Sequence, residues 1–274
     1  MDVLINRMAS PVCVQHNTSR KVFWAALEES AALENTHSRR PSPREHTQGI
    51  LRVGHRGAAG HAPENTIAAI RRGVSLDVDF VELDVQCTRD GRLVVMHDKL
   101  VDRTTDGTGL LSDMTWDELQ LLDAGDGERV PCVEAALAAA NGHTGVILEA
   151  KTSGIGPAIH RVVQASAFSG PVIYASFLHA EILEIRRIDA LARTMALIEC
   201  VPLSGAAFAR DAEATLVGLA VDSASAEFIA TLHEAGLEVL LYTVNEPRLI
   251  ARAIDLGADG IISDYPERVP KPGF

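Results

Sequence analysis

From about residue 50 to the C-terminus, short apolar runs alternate with longer amphipathic segments. The apolar runs are rich in branched residues, which is typical of buried parallel strands. The runs predict strands at Leu51–Gly54, Phe80–Val85, Gly145–Glu149, Pro171–Ser176, Thr194–Glu199, Gly218–Asp222, Glu238–Thr243 and Gly260–Ser263. The amphipathic segments predict helices at Thr66–Gly73, Val133–Asn141, Pro157–Ala167, His179–Ile188, Ser225–Ala235 and Pro247–Leu256. This alternation favours an α/β fold, a TIM-like (β/α)8 barrel, with a doubly wound parallel sheet as the second candidate.

One connection is too long for an ordinary loop between a strand and a helix. More than forty residues separate the second strand from the helix at Val133, whereas such loops mostly span ~2–6 residues. The connection contains an apolar run, Leu93–Met96, and a stretch rich in Thr, Asp and Gly, Arg103–Gly109. Active sites of parallel barrels lie at the carboxyl ends of the strands. We therefore expect a small inserted subdomain, at about residues 87–130, that helps to close the site.

The first 48 residues have a different pattern and supply no apolar periodicity for a core. We expect residues 1–48 to be a flexible N-terminal extension and residues 49–274 to form the barrel. The longest apolar stretch of the extension, Val22–Leu27, is too short for a typical secretory signal and is followed directly by acidic residues. The four cysteines lie far apart, without a C-x-x-C pair. These features predict a cytoplasmic protein.

The charge balance narrows the class of partner. The chain has 25 basic and 37 acidic residues, a formal net charge of −12, so it is a poor candidate for binding nucleic acid. No apolar run approaches the ~18 residues of a membrane span, and we expect no stable membrane insertion. An anionic small-molecule substrate would have to be held by a local cation rather than by the overall field.

Charged residues occur at the ends of two predicted strands. Glu82 and Asp84 are two positions apart, so the period-two alternation of a strand places both carboxylates on one face. The next strand ends with Glu149 and Lys151, again on one face. Three carboxylates at one barrel mouth would repel each other unless a cation lies between them. A hard divalent cation, Mg²⁺ or Ca²⁺ with Mn²⁺ as a further option, suits these oxygen ligands better than zinc does.

Two histidines follow apolar runs, but neither is specific by itself. His55 and Arg56 end the first strand, and His97 precedes Asp98 in the long connection. A His-Arg-Gly sequence is more often a turn, and His97 can equally be a turn histidine that is hydrogen-bonded to its neighbour. A Glu-x-Asp pair seen alone is usually the solvated face of an edge strand. The interpretation therefore depends on these residues taken together and not on any one of them.

Together these residues resemble the glycerophosphodiester phosphodiesterase family over about residues 51–268. The segments that carry the resemblance are, in chain order, His55–Thr66 (HRGAAGHAPENT), Val81–Val85, Thr88–Gly91, Val94–Asp98, Asp102–Gly107, Leu148–Lys151, Ser176–Phe177, Tyr242–Asn245 and Gly260–Asp264. The family usually has Trp at the position of Tyr242 and Thr at that of Ser263. These departures concern the shape of the substrate pocket rather than the chemistry.

The resemblance implies a role for each matching residue. His55 and His97 match the family's two catalytic histidines. Arg56 and Lys151 match its phosphate-binding cations. Its metal ligands are matched by Glu82, Asp84 and Glu149. The resemblance also implies that Glu64 and Asn65 mainly support the first loop.

The implied function is metal-dependent hydrolysis of glycerophosphodiesters to sn-glycerol 3-phosphate and an alcohol, with two histidines as general acid and base. The sequence leaves open which histidine is the acid, which alcohol is preferred and what the oligomeric state is. One alternative is a phosphodiesterase of phospholipase C or D type acting on lipid or lysolipid headgroups. That class would favour an exposed apolar rim, and the sequence shows no obvious aromatic or basic membrane face. A second alternative is a catalytically idle barrel used for binding.

Overall fold

Eight parallel strands close into a barrel in the computed structural model, which describes residues 49–271. The barrel strands are β1 Leu51–Gly54, β2 Phe80–Cys87, β4 Gly145–Ala150, β5 Val172–Ser176, β6 Arg193–Ile198, β7 Leu216–Ala220, β8 Glu238–Tyr242 and β9 Gly260–Ser263. They pair in chain order, and β1 closes the ring by pairing with both β2 and β9. The predicted TIM-like barrel is confirmed, and the doubly wound sheet is wrong. The predicted extension, residues 1–48, lies outside the described residues.

Eight α-helices lie in the described part of the chain. They are α1 Ile67–Ser75, α2 Trp116–Leu119, α3 Val133–Ala140, α4 Gly156–Ala165, α5 His179–Ile188, α6 Ala207–Asp211, α7 Ala226–Glu234 and α8 Pro247–Asp255. All six predicted helices are present, with ends that match or differ by one or two residues. The sequence pattern missed α2 and α6, because helices of four and five residues are too short to show a helical period. None of the helices in residues 49–271 is long and apolar enough to cross a membrane.

The barrel has an apolar interior and an apolar layer between strands and helices. Strand β2 contributes side chains to both the interior and this layer. Val81, Leu83 and Val85 are fully buried in the layer that also contains helix residues, whereas Phe80 packs inside the barrel. The other interior side chains are those of Val53, Ile147, Ile173, Ala175, Met195, Leu197, Leu216, Leu240 and Ile262. Because this interior is filled, a ligand site has to lie at a barrel end.

The long connection between β2 and α3 has local structure of its own. Strand β2 runs beyond the barrel wall and pairs antiparallel with β3, Leu93–Val95, so the predicted apolar run is a strand. The connection also has a separate apolar cluster made of Val94, Met96, Val101, Leu111, Leu119, Ala124 and Val130. That this segment is a subdomain that helps to close the site stays a prediction.

The loop after β1 packs against α1 through three glycines. A Cβ atom on Gly54 would lie 1.8 Å from the carbonyl oxygen of Gly57, and one on Gly73 would lie 2.8 Å from the same oxygen. Gly57 itself has φ +93°, and a Cβ there would lie 2.5 Å from the backbone of Ala69. Glycine is therefore required at these positions for the loop and helix to approach this closely.

Candidate active site

Three buried carboxylates meet at the carboxyl ends of neighbouring strands. Glu82 and Asp84 lie on β2, and Glu149 lies on β4 directly opposite Asp84 in the strand register. One oxygen from each carboxylate lies within 4.8 Å of the others. The alternation of β2 explains the placement, because Phe80, Glu82 and Asp84 share the face that points into the barrel. The structure thus brings the three predicted metal ligands together.

The electrostatics of this acidic cluster show how its charge is balanced. Burial, followed by repulsion from Asp84 and Glu149, raises the pKa of Glu82 well above its usual range. Burial and the neighbouring Asp84 raise the pKa of Glu149 to about 7 despite the opposing charge of Lys151. Three oxygen donors whose negative charge is only partly compensated form a set that a hard divalent cation fits. The acidic cluster can therefore bind a divalent cation.

Two cations lie beside the acidic cluster. Lys151 Nζ is 2.8 Å from Glu149 Oε1 and 3.3 Å from Asp84 Oδ1. Arg56 Nε is 3.4 Å from Asp84 Oδ2. Burial alone would raise the pKa of Asp84, but the charges of Lys151 and Arg56 outweigh burial and hold this pKa below its usual value. Asp84 therefore stays ionised among its neighbours.

Arg56 has an unusual backbone conformation, and its backbone N–H and its side chain bind different glutamates. With φ +50° it lies in the left-handed region. Its backbone N–H donates to Glu82 Oε2 over 3.0 Å, while its Nη1 donates to Glu64 Oε1 over 2.6 Å. Among the described residues, its buried Nε has no hydrogen-bond acceptor. A buried guanidinium N–H without an acceptor is a ready donor for an anionic ligand.

The ring of His55 is held at Nδ1, the nitrogen that faces away from the acidic cluster. Its Nδ1 lies 2.7 Å from Asp264 Oδ1, and its Nε2 lies 4.0 Å from Glu82 Oε2, on the side of the acidic cluster. Asp264 follows β9 and accepts a 2.7 Å hydrogen bond from the amide of Asn245. Burial would raise the pKa of Asp264, but the hydrogen bonds from His55 and Asn245 bring it below its usual value.

His97 is also held at Nδ1 by an aspartate, but different groups hold that aspartate. We call the residues that hold each histidine its support. Its Nδ1 lies 2.6 Å from Asp98 Oδ1, and Arg103 Nε donates to the other Asp98 oxygen over 2.6 Å. Both terminal nitrogens of Arg103 donate to the two oxygens of Glu64, each over 2.8 Å. Since Glu64 also accepts from Arg56, one continuous chain of charged groups joins His97 to Arg56. The hydrogen bond from Arg103 is the main reason that the pKa of Asp98 lies below its usual range.

A buried glutamine fixes the backbone on which His97 lies. Gln86 Nε2 lies 2.9, 3.1 and 2.7 Å from the carbonyl oxygens of Met96, His97 and Asp98. Gln86 continues the spacing of Glu82 and Asp84 along β2, a signal that the sequence analysis could have followed.

Other supporting residues were also missed as site residues. The sequence analysis gave no role to Asp98, Arg103, Asn245 or Asp264, although all four lie in the segments that carry the resemblance. Asn65, expected to support the first loop, exchanges hydrogen bonds with Asp84 through its side-chain amide.

Two depressions flank the acidic cluster. The first is a partly open cavity lined by His55, Glu82, Glu149, Ala175, Phe177, Met195, Leu197 and Tyr242. The second is an open groove lined by His97, Asp98, Lys99, Leu100 and Lys151. All seven predicted site residues thus lie around one mouth, with one histidine on each side.

The chain is similar to proteins of one enzyme family. The model of the glycerophosphoryl diester phosphodiesterase family matches residues 55–268. The Bacillus subtilis protein YhdW is 34% identical over 237 residues, which cover 81% of this chain and 97% of the relative. A glycerophosphodiester phosphodiesterase of Caldanaerobacter subterraneus subsp. tengcongensis is 32% identical over 230 residues, 79% of this chain and 95% of the relative. A solved Oleispira antarctica phosphodiesterase, in complex with the product sn-glycerol 3-phosphate, is 26% identical with a TM-score of 0.76 and covers 79% of this chain and 94% of that chain.

Proposed function

The chain belongs to the glycerophosphoryl diester phosphodiesterase family, and from this we propose that it hydrolyses glycerophosphodiesters to sn-glycerol 3-phosphate and an alcohol with one divalent cation. The observation that carries the proposal is the arrangement at the barrel mouth. A buried acidic cluster lies between two histidines, each held by an aspartate, with Arg56 and Lys151 beside it. The complete set of charged groups argues against a catalytically idle barrel. The cytoplasmic location stays a prediction.

The acidic cluster would hold the cation. Glu82, Asp84 and Glu149 each offer one oxygen, and Mg²⁺, Ca²⁺ or Mn²⁺ accepts such donors. When bound, the cation stabilises negative charge on the phosphoryl oxygens. Lys151 offsets part of the charge of Asp84 and Glu149, and a bound cation would favour the ionised form of all three carboxylates.

Arg56 and Lys151 would bind the phosphate. The buried Nε of Arg56 makes no hydrogen bond, although Asp84 Oδ2 lies 3.4 Å away, and Lys151 Nζ lies at the edge of the acidic cluster that faces the open groove. A phosphodiester carries one negative charge, which the acidic surroundings would otherwise repel. These two cations therefore supply the local positive charge that the overall charge of −12 lacks.

The two histidines would move the protons. One of His55 and His97 takes the proton from the glycerol hydroxyl next to the ester. The hydroxyl oxygen then attacks phosphorus, the bond to the alcohol oxygen breaks, and the other histidine gives that oxygen a proton. The product of this step is a cyclic glycerol phosphate, which water opens with the histidine roles reversed. Internal attack gains from holding nucleophile and phosphorus in one molecule.

Removal of the divalent cation tests the first part of the proposal. Exhaustive EDTA treatment should abolish release of glycerol 3-phosphate from a panel of glycerophosphodiesters, and added Mg²⁺, Ca²⁺ or Mn²⁺ should restore it. Glu82→Gln should weaken cation binding, measured by calorimetry, as well as turnover. The matched control is Glu227→Gln, an exposed position on α7, which should change neither. Full activity in a demonstrably metal-free sample would refute the metal-dependent mechanism.

A deoxy substrate tests the internal attack. The analogue keeps both ester bonds but has hydrogen in place of the attacking hydroxyl. Internal attack predicts near-complete loss of turnover while the analogue still inhibits competitively. If the deoxy analogue turns over at a comparable rate, water attacks directly and the cyclic intermediate has to be abandoned.

A further inference from the structure

Two neighbouring loops at the barrel mouth expose large apolar side chains. Phe177 and Leu178 follow β5 and are 40% and 42% exposed, while Val201 and Leu203 follow β6 and are 50% and 109% exposed. Strands β5 and β6 are parallel and paired, so the loops after their carboxyl ends lie side by side. We name these four residues the β5–β6 rim. The sequence analysis found no apolar face because the two loops are more than twenty residues apart and meet only when the strands pair.

The rim is continuous with the cavity next to His55. Phe177 belongs to both, since it is partly exposed and also lines that cavity. Its ring meets the Tyr242 ring edge-on, with the ring centres 6.0 Å apart. The Tyr242 hydroxyl donates to the carbonyl oxygen of Ile198 over 2.9 Å, so its polar group is already paired. Apart from the site residues, the remaining cavity walls are Ala175, Met195 and Leu197.

The two sides of the acidic cluster differ in the side chains that follow the site residues. The groove on the His97 side has the cations Lys99 and Lys151 and the carboxylate of Asp98, together with the exposed Leu100. The polar side-chain groups of the cavity on the His55 side are those of His55, Glu82 and Glu149 and the already paired hydroxyl of Tyr242, and its other lining side chains are apolar. In the proposed reaction one histidine serves the glycerol hydroxyl and the other serves the departing alcohol, so one arm of the phosphodiester would lie beside each histidine. An arm rich in hydroxyl groups would find few partners in the apolar cavity, whereas a hydrocarbon chain fits its walls.

We propose that the enzyme takes glycerophosphodiesters that carry an apolar chain, and that this chain runs from the His55 cavity across the β5–β6 rim. The inference rests on the proposed function and names its substrate class. The apolar chain of the substrate can be an acyl group on carbon 1 of the glycerol, as in a lysophospholipid, or it can belong to the departing alcohol. An acyl group on carbon 1 leaves the hydroxyl on carbon 2 free for internal attack, so both substrates suit the same chemistry.

Two series of substrates test the inference and separate the two sources of the chain. One series lengthens the acyl group on carbon 1 of a glycerophosphodiester, and the other lengthens a linear alcohol in a deacylated diester. Both are assayed as monomers, below the concentration at which they aggregate. The rate constant kcat/KM should rise about 2- to 4-fold for each methylene that enters the cavity or the rim. The series that shows the rise identifies the arm that lies over His55.

Substitutions in the rim provide a second test. The double variant Leu178→Ser with Leu203→Ser changes two exposed side chains that do not line the cavity, so folding and the short-chain activity should be retained. It should lower kcat/KM about tenfold for long chains. The matched control is Leu191→Ser, 91% exposed in the turn before β6, at the opposite end of the barrel. This control should leave both activities unchanged.

Each result has a defined meaning. Equal kcat/KM at all chain lengths overturns the inference. A rise that appears only when phosphatidylcholine vesicles are present also overturns it, because the rim then contacts a lipid surface rather than the substrate chain. Binding of the deoxy analogues, measured by calorimetry, separates the two proposals. Tighter binding with longer chains but no turnover of any glycerophosphodiester supports the chain site and refutes the proposed reaction.

Discussion

Each of the two histidines at the barrel mouth is hydrogen-bonded at Nδ1 to an aspartate. The two aspartates differ in the group that forms their second hydrogen bond. Asp264, which holds His55, receives its second hydrogen bond from the neutral amide of Asn245. Asp98, which holds His97, receives its second hydrogen bond from the guanidinium of Arg103. Among the described residues, the second hydrogen bond to Asp98 thus comes from a charged guanidinium, and that to Asp264 comes from a neutral amide.

The supports also differ in the parts of the chain that build them. Asn245 and Asp264 follow the adjacent barrel strands β8 and β9, so the support of His55 forms when the barrel closes. The support of His97 joins the connection after β2 to Glu64 in the loop after β1. Because Glu64 also holds Arg56, the orientations of His97 and of the arginine proposed to bind the phosphate depend on one shared carboxylate. His55 has no such link to Glu64 in the described residues.

The largest effect should come from removing either imidazole. His55→Ala and His97→Ala should each lower kcat by about 10²-fold or more, as expected for general acid–base groups. Steady-state assays of glycerol 3-phosphate release measure the effect, and circular dichroism checks folding. His143→Ala, at an exposed position after α3, is the control and should have no effect. A loss below tenfold at either site would remove that histidine from the mechanism.

Replacing each supporting aspartate should have a smaller effect. Asp264→Asn and Asp98→Asn place an amide against Nδ1, which disturbs the ring tautomer, and each should lower kcat about 10- to 100-fold. KM should change only in Asp98→Asn, because this change also releases Arg103 from its position between Asp98 and Glu64. Equal KM values in the two variants would show that the two supports are independent of Arg56.

Glu64→Gln should affect two kinetic parameters at once. It weakens the hydrogen bonds to Arg103 and Arg56, so kcat should fall and KM should rise, each by about tenfold for a lost charged hydrogen bond. In a His97→Ala background the effect on kcat should disappear, while the effect on KM should remain. An unchanged loss of kcat in that background would mean that Glu64 does not act through His97.

The smallest expected effect is on acid stability. Burial would raise the pKa of Glu64, but Arg103 and Arg56 hold it below its usual value of 4.5. Its stabilising contribution is therefore complete above about pH 4.5 and is lost as the pH falls through the lower value in the folded protein. The difference in unfolding free energy between the wild type and Glu64→Gln should shrink below pH 4.5 in urea titrations. Glu238→Gln, which breaks a half-exposed pair with Arg193, should show a smaller difference at every pH. A constant difference for Glu64→Gln down to pH 2 would contradict this assignment.

The barrel and the acidic cluster could be predicted because they follow from short-range periodicity. The alternation along Phe80, Glu82 and Asp84 assigns a face to each side chain, and the parallel order of strands then brings Glu149 to the same end. No such period marks α2 or α6. Both are too short to show one, although the capping box of Thr115 and Glu118 at the start of α2 is a local signal.

The supports of the histidines could not be predicted because they depend on distances between loops. Arg103 and Glu64 are 39 positions apart, and Asp264 and His55 are 209 apart. A sequence pattern shows that each residue is polar, but it does not show which partner each will meet. Gln86 is the exception, since its place on β2 follows from the same alternation as the predicted metal ligands Glu82 and Asp84.

The close packing of Gly54, Gly57 and Gly73 shows that the sequence around His55 contains two kinds of position, those required for folding and those required for turnover. The nearest atom that a Cβ at each of these positions would meet belongs to the backbone of Gly57 or Ala69, so a larger residue would displace backbone rather than a flexible side chain. In a library of all single substitutions, changes at these glycines should reduce the cellular abundance of the protein. Changes at His55 should leave abundance intact and remove turnover. What reads as one catalytic signature is therefore partly a folding signature, and a relative that had lost its histidines would still need its glycines.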